Sequence, residues 1–221
     1  MKVHFQREID KLKLLILGMS AEVEEAVSDA VRAVETRDTA LAGSVLEHEN
    51  QTNAHEVDIE EECLKILALH QPVAADLRYL VAVLKINHDL ERIGDLAVHI
   101  AQGALQLSEM PPVEIPLQLG EMATKSKQML KRVLDAFVNV DIAVAREIRL
   151  ADSELDALNR AMATRLKEEI ARSPERLETL LKLMHIARHL ERIGDHATNI
   201  AEDLIYLIEG KIVRHTDVSQ S

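Results

Sequence analysis

The hexapeptide Leu-Glu-Arg-Ile-Gly-Asp stands at residues 90–95 and again, unchanged, at 190–195. A second copy of a core pattern needs only similar apolar residues; it does not need the same acids in the same places. The likeness extends well beyond the hexapeptide. At an offset of 100, Leu80, Leu84, Ala97 and Ile100 fall on Leu180, Met184, Ala197 and Ile200. Further upstream an offset of 103 carries Asp38 onto Asp141, and Val27, Val31 and Val34 onto Leu130, Leu134 and Phe137. The three-residue difference is absorbed near the prolines. A chain written this way is expected to fold as one unit made twice.

Proline supplies the punctuation. It stands at Gln71-Pro72, through the stretch 109–116 and at Ser173-Pro174; it disfavours helix just upstream and suits the first turn of the next one. Between these breaks, Asp38 and Asp141 are placed to cap helix N-termini. Six helices are predicted, at about 3–35, 39–70, 73–108, 117–138, 142–172 and 175–209. The 221 residues contain no Trp and only two Phe and two Tyr, against abundant Ala, Leu, Glu and Arg. Strand formers are scarce and helix formers dominate. The expected fold is all-α, a tandem repeat of two three-helix bundles: 1–110, a linker at 111–116, and 117–215. Each unit is expected to bury its own core by antiparallel packing.

The helical phase says where the acids point. Leu90, Ile93, Ala97, Ile100 and Ala104 form an apolar stripe that must face a core. At about 100° per residue, Glu91 and Asp95 lie together on one flank of that stripe. Glu191 and Asp195 repeat the arrangement, and the preceding helices carry Glu49 with Asn53, then Asp152 with Asp156. If the flanks of neighbouring helices face each other, four carboxylate or amide groups converge at one seam in each unit. Like charges four apart destabilise a helix by a few tenths of a kcal/mol, and a cation reverses that sign. Such oxygen donors suit hard ions, with iron, Mn²⁺ or Mg²⁺ as the leading choices. The alternative is a solvated acidic face that binds nothing, and it is the duplication of the pairs that argues against it.

Other residues read more plainly. His48 and His55 fall on core-stripe positions and are expected to be hydrogen-bonded rather than ligating; His88, His189 and His196 are candidates for outer partners of the acids. Gly94 and Gly194, mid-helix, suggest close helix approach beside the acids. Cys63 reads as inert core, and a single Cys excludes an internal disulfide. A net charge of −12 with no Lys/Arg run argues against nucleic acid as a partner. No signal-peptide core or apolar run of about 20 residues is present, so the expected location is the cytoplasm. A nucleophile–base pair, a glycine-rich phosphate loop and Cys/His zinc spacing are all missing, so no enzyme is expected. The enzymatic alternative is a carboxylate-bridged di-metal oxidase, but that class uses Glu-x-x-His inside a bundle. A purely structural helical scaffold is the third reading.

The doubled LERIGD, together with the stretches 70–101 and 189–211, makes the chain resemble the PhoU family over nearly its whole length. The resemblance implies tandem three-helix bundles that bind multinuclear metal clusters through E(D)xxxD motifs. Carried over by position, these fall on Glu49, Asn53, Glu91 and Asp95, and on Asp152, Asp156, Glu191 and Asp195. Asn53 departs from the acidic pattern, and an amide is the weaker ligand. The resemblance further implies a homodimeric signalling adaptor that negatively regulates phosphate uptake and phosphate-starvation signalling. Its partners would be the ATPase of a phosphate ABC transporter and a sensor histidine kinase, with the chain at most peripheral to the membrane.

Overall fold

A computed structural model describes residues 2–210. Its helices are α1 (Lys2–Thr36), α2 (Thr39–His70), α3 (Ala74–Glu109), α4 (Leu117–Asn139), α5 (Ile142–Arg172) and α6 (Leu177–Glu209). These match the six predicted segments closely. One short element was not foreseen, a 3₁₀ turn over Pro174–Arg176 that precedes α6. Residues 211–215, which the sequence reading placed in the second unit, lie outside the described chain.

The helix ends show the chemistry that sets them. Asp38 accepts from Leu41 N at 3.0 Å, and Asp141 accepts from Ala143 N at 2.9 Å and Val144 N at 3.2 Å, so both expected caps form. Gln71, immediately before Pro72, closes α2 in the left-handed region with φ 45°. Arg37 reaches across to the far end of α3, where its guanidinium donates to the Leu107 carbonyl and, at 2.6 Å, to that of Met110. A cation there suits the negative end of the helix dipole and adds a donor to the last carbonyls of α3.

The stripe Leu90, Ile93, Ala97, Ile100 and Ala104 is buried, as are its counterparts Leu190, Ile193, Ala197 and Ile200. The expectation that each unit closes its own core holds only in part. The buried residues of both units form one continuous cluster, and α3 packs against α6 more extensively than any other pair of helices. The two run antiparallel: Lys85 binds Asp203 at 3.0 Å, Asp89 binds His196 at 2.8 Å, His99 stacks on His189, and Gly103 lies against Ile186. A second face of α3, with Ala82, Asp89, Leu96 and Gly103 seven apart, is buried as well. That heptad spacing is what a near-antiparallel helix partner requires.

Candidate metal centre: two carboxylate seams

In the second unit, α5 and α6 turn their acidic flanks toward each other. Carboxylate oxygens of Asp156, Glu191 and Asp195 come within 4.8 Å of one another. Burial lifts the Asp152 carboxyl above its usual range, and the neighbouring charges of Asp156 and Glu191 add to the shift. Burial and the charges of Glu191, Asp152 and Asp156 push Asp195 up to about 6. All four predicted positions therefore share one electrostatic environment. Glu191 Oε2 is buried and makes no hydrogen bond; a carboxylate oxygen removed from water without a donor is costly unless a cation meets it.

The glycine of the motif makes this approach possible. A Cβ at Gly194 would collide with Leu155 Cδ2, and one at Gly94 would stand 3.3 Å from Thr52 Cγ2. Both glycines let the third helix of a unit close on the second, as the sequence suggested.

The first unit differs in detail. Glu49, Asn53 and Asp95 line a groove of about 120 Å³ between α1, α2 and α3, together with Glu22, Glu25 and Asp29 of α1. Sequence reasoning missed these three α1 acids, although their spacing beside the Val23–Val27 stripe carries the signal. Glu91 does not line this groove. Burial raises its carboxyl, with Asp95 adding to the effect, and its Oε2 is also buried without a hydrogen bond. Arg92 folds back over the motif, with Nε 3.3 Å from Glu91 Oε2 and Nη1 3.4 Å from Asp95 Oδ2. An internal countercharge thus lies against the acids of the first unit's motif.

The histidines divide by role. His48 bonds the Ser44 carbonyl at 2.7 Å and His55 the Glu22 carboxylate at 2.8 Å; His48 is exposed and lines the first-unit groove rather than the core. His88 lies 4.0 Å from Glu91. His196 joins the units through Asp89 at 2.8 Å and also acts electrostatically on Asp195. His189 is pushed down to about 4 by burial and by the cations around it. Burial drives the Cys63 thiol up to about 12, so it stays protonated and inert.

Repulsion among the second-unit acids gives a testable pH dependence. Asp195 binds its proton more tightly folded (about 6) than unfolded (about 3.8). Its contribution to stability is therefore complete below about 3.8 and lost as pH rises through about 6. The melting temperature of chelated protein should rise as pH is lowered from 7 to 5, and Asp195→Asn should flatten that slope. Parallel profiles for the two proteins would refute the shared environment.

A cluster of acids between the second and third helix of one unit, and an acid-lined groove among the three helices of the other, mark a class of tandem helical repeat proteins. The sequence pattern of the PhoU domain matches residues 16–104 and again 119–204, and the chain belongs to the PhoU family. It is 36% identical over 219 residues to the phosphate-specific transport system accessory protein PhoU homolog of Pseudomonas aeruginosa, covering 98% of this chain and 90% of that one. A crystal structure of PhoU from Pseudomonas aeruginosa superposes with a TM-score of 0.91 at 36% identity, over 94% of this chain and 100% of that one. The phosphate transport system regulatory protein PhoU from Streptococcus pneumoniae gives 0.87 at 31% identity, over 95% of this chain and 99% of that one. These relatives are named as accessory or regulatory proteins rather than as enzymes, in agreement with the expectation that the chain is not one.

Proposed function

We propose that this chain is a metal-binding regulatory adaptor of phosphate transport, which restrains phosphate uptake and phosphate-starvation signalling by contacting the ABC transporter ATPase and its sensor histidine kinase. The coarser part, an accessory role in phosphate transport, rests on the names its relatives carry over nearly the full chain. The observation that supports metal binding is the buried, unpartnered oxygen of Glu191 beside Asp156 and Asp195. Hard oxygen donors of this kind fit iron, Mn²⁺ or Mg²⁺.

Asp152, Asp156, Glu191 and Asp195 would hold metal in the second unit, and Glu49, Asn53, Glu91 and Asp95 in the first. A bound cation would supply the positive charge that turns mutual repulsion into attraction. Around a cation, the carboxylates would tie α5 to α6 and α2 to α3, fixing the surface that a partner meets. None of the helices in the described residues is long and apolar enough to cross a membrane. In this reading the chain acts as a cytoplasmic homodimer, at most peripheral to the membrane.

Co-purification tests the adaptor role. Metal-loaded protein at high phosphate should retain both the transporter ATPase and the kinase, and lose retention when the seam acids are changed to amides. Retention of neither partner by folded, metallated protein would overturn the reading.

A further inference from the structure

One turn along the α5–α6 groove from the acidic seam, the sign of the surface reverses. A hollow of about 490 Å³ is lined there by Asn159, Met184, His185, Arg188, His189 and Arg192. His185, Arg188, His189 and Arg192 fall on one face of α6, at i, i+3, i+4 and i+7. His99 of α3 closes the cluster by stacking on His189, with ring centroids 5.3 Å apart. Neither Arg188 nor Arg192 has a carboxylate at ion-pair distance among the described residues, and His189 Nδ1 is buried without a hydrogen-bond partner. In a chain of net charge −12, an unneutralised pair of guanidinia over a hollow is an exception.

Comparison with the first unit shows that the duplication alone does not produce this charge. At the corresponding positions, Glu56 and Glu60 replace Asn159 and Ala163, and Asp89 replaces His189. Lys85, opposite His185, is spent on Asp203. Arg92, opposite Arg192, is spent on Glu91 and Asp95. His88 stands opposite Arg188 and lies 4.0 Å from Glu91, so the first groove lacks the pair of unneutralised guanidinia.

We infer that this groove is a binding site for a small tetrahedral oxyanion of the phosphate class, held by Arg188 and Arg192 with His189 and Asn159 as polar partners. Guanidinium forks match tetrahedral oxyanions in geometry and charge, and remain cationic at any working pH. A liquid water takes about 30 Å³, so the hollow admits such an anion with part of its hydration. The site is independent of the metal reading, since none of its groups belongs to the carboxylate seam.

Isothermal titration of inorganic phosphate into the full chain, at fixed ionic strength in chloride, tests the assignment. Saturable binding is expected in wild type, as purified and equally after chelation and buffer exchange. The double variant Arg188→Gln/Arg192→Gln and, separately, His189→Asp should each weaken it roughly tenfold or more. Arg92→Gln, the same motif position in the first unit, should bind like wild type. Circular dichroism melting establishes that each variant is folded; should the double variant fail to fold, His189→Asp carries the comparison. No saturable binding to wild type, binding that vanishes with the metal, or undiminished binding in a folded groove variant would overturn the inference.

Discussion

Asp195→Asn is expected to abolish most of the thermal stabilisation that added Mn²⁺ or Fe³⁺ gives the wild-type protein. A ligand that binds only the folded state adds RT ln(1 + [L]/Kd), about 2.7 kcal/mol at a hundredfold excess over Kd. For a chain of this size that is a rise of roughly 5–10 °C. Asp195 belongs to the one trio of acids in the described residues whose oxygens already lie within 4.8 Å of one another, so its loss removes the tighter site. Asp95→Asn should matter less, because Asp95 is already engaged by Arg92. Asn53→Asp should move the first unit toward the second by adding a carboxylate to a groove that holds Glu49 and Asp95. Melting curves indifferent to metal and chelator, or equal metal responses in Asp195→Asn and Asp95→Asn, would show that these positions are not the ligand sets.

Gly103→Leu should cost the fold about 1–3 kcal/mol or more by wedging α3 away from α6. A Cβ at Gly103 would stand 3.0 Å from both Cγ1 and Cδ1 of Ile186, and a leucine extends further into the same space. Gly18→Leu is the control: Gly18 is exposed on α1 with nothing within 4 Å of an added Cβ, and leaving glycine in mid-helix gains about 1 kcal/mol. The first variant should melt well below wild type and the second no lower. The same interface predicts that fragments 1–112 and 113–221 melt below the whole chain, since each exposes its half of the α3–α6 contact. Fragments as stable as the intact protein, or a Gly103→Leu variant that melts like wild type, would mean that the units are energetically separate.

The sequence carried the helix count, most helix ends and the facing of the second unit's acids, because each rests on a local rule. Proline and capping aspartate end helices within a turn, and an i, i+4 pair beside an apolar stripe has only one place to point. What escaped was relational. Leu90, Ile93 and Ala97 announce one buried stripe, but Ala82, Asp89, Leu96 and Gly103 announce a second only to a reader who allows an aspartate and a glycine in a helix interface. Each unit does pack its own three helices together, but the shared α3–α6 face was not foreseen for that reason. Glu22, Glu25 and Asp29 were missed because their counterparts in α4 are Lys125, Gln128 and Arg132, so the duplication that exposed the other acids hid these. The folding of Arg92 onto its own motif is invisible in a hexapeptide shared letter for letter with a copy in which the arginine points elsewhere.

The antiparallel meeting of α3 and α6 resembles the interface of a symmetric dimer whose two chains have become one. In a true dimer with a twofold axis every contact occurs twice, so a position is bound to suit itself in both roles. Covalent joining lifts that bond. Asp89 can face His196 although the corresponding residues of the other unit are His189 and Leu96, and no second chain has to accept the same compromise. Such a chain can let one half lose charge where the other gains it, and so hold two unlike surfaces at a fixed separation on a shared spine. Joining two like units in one chain turns a symmetry constraint into room for division of labour.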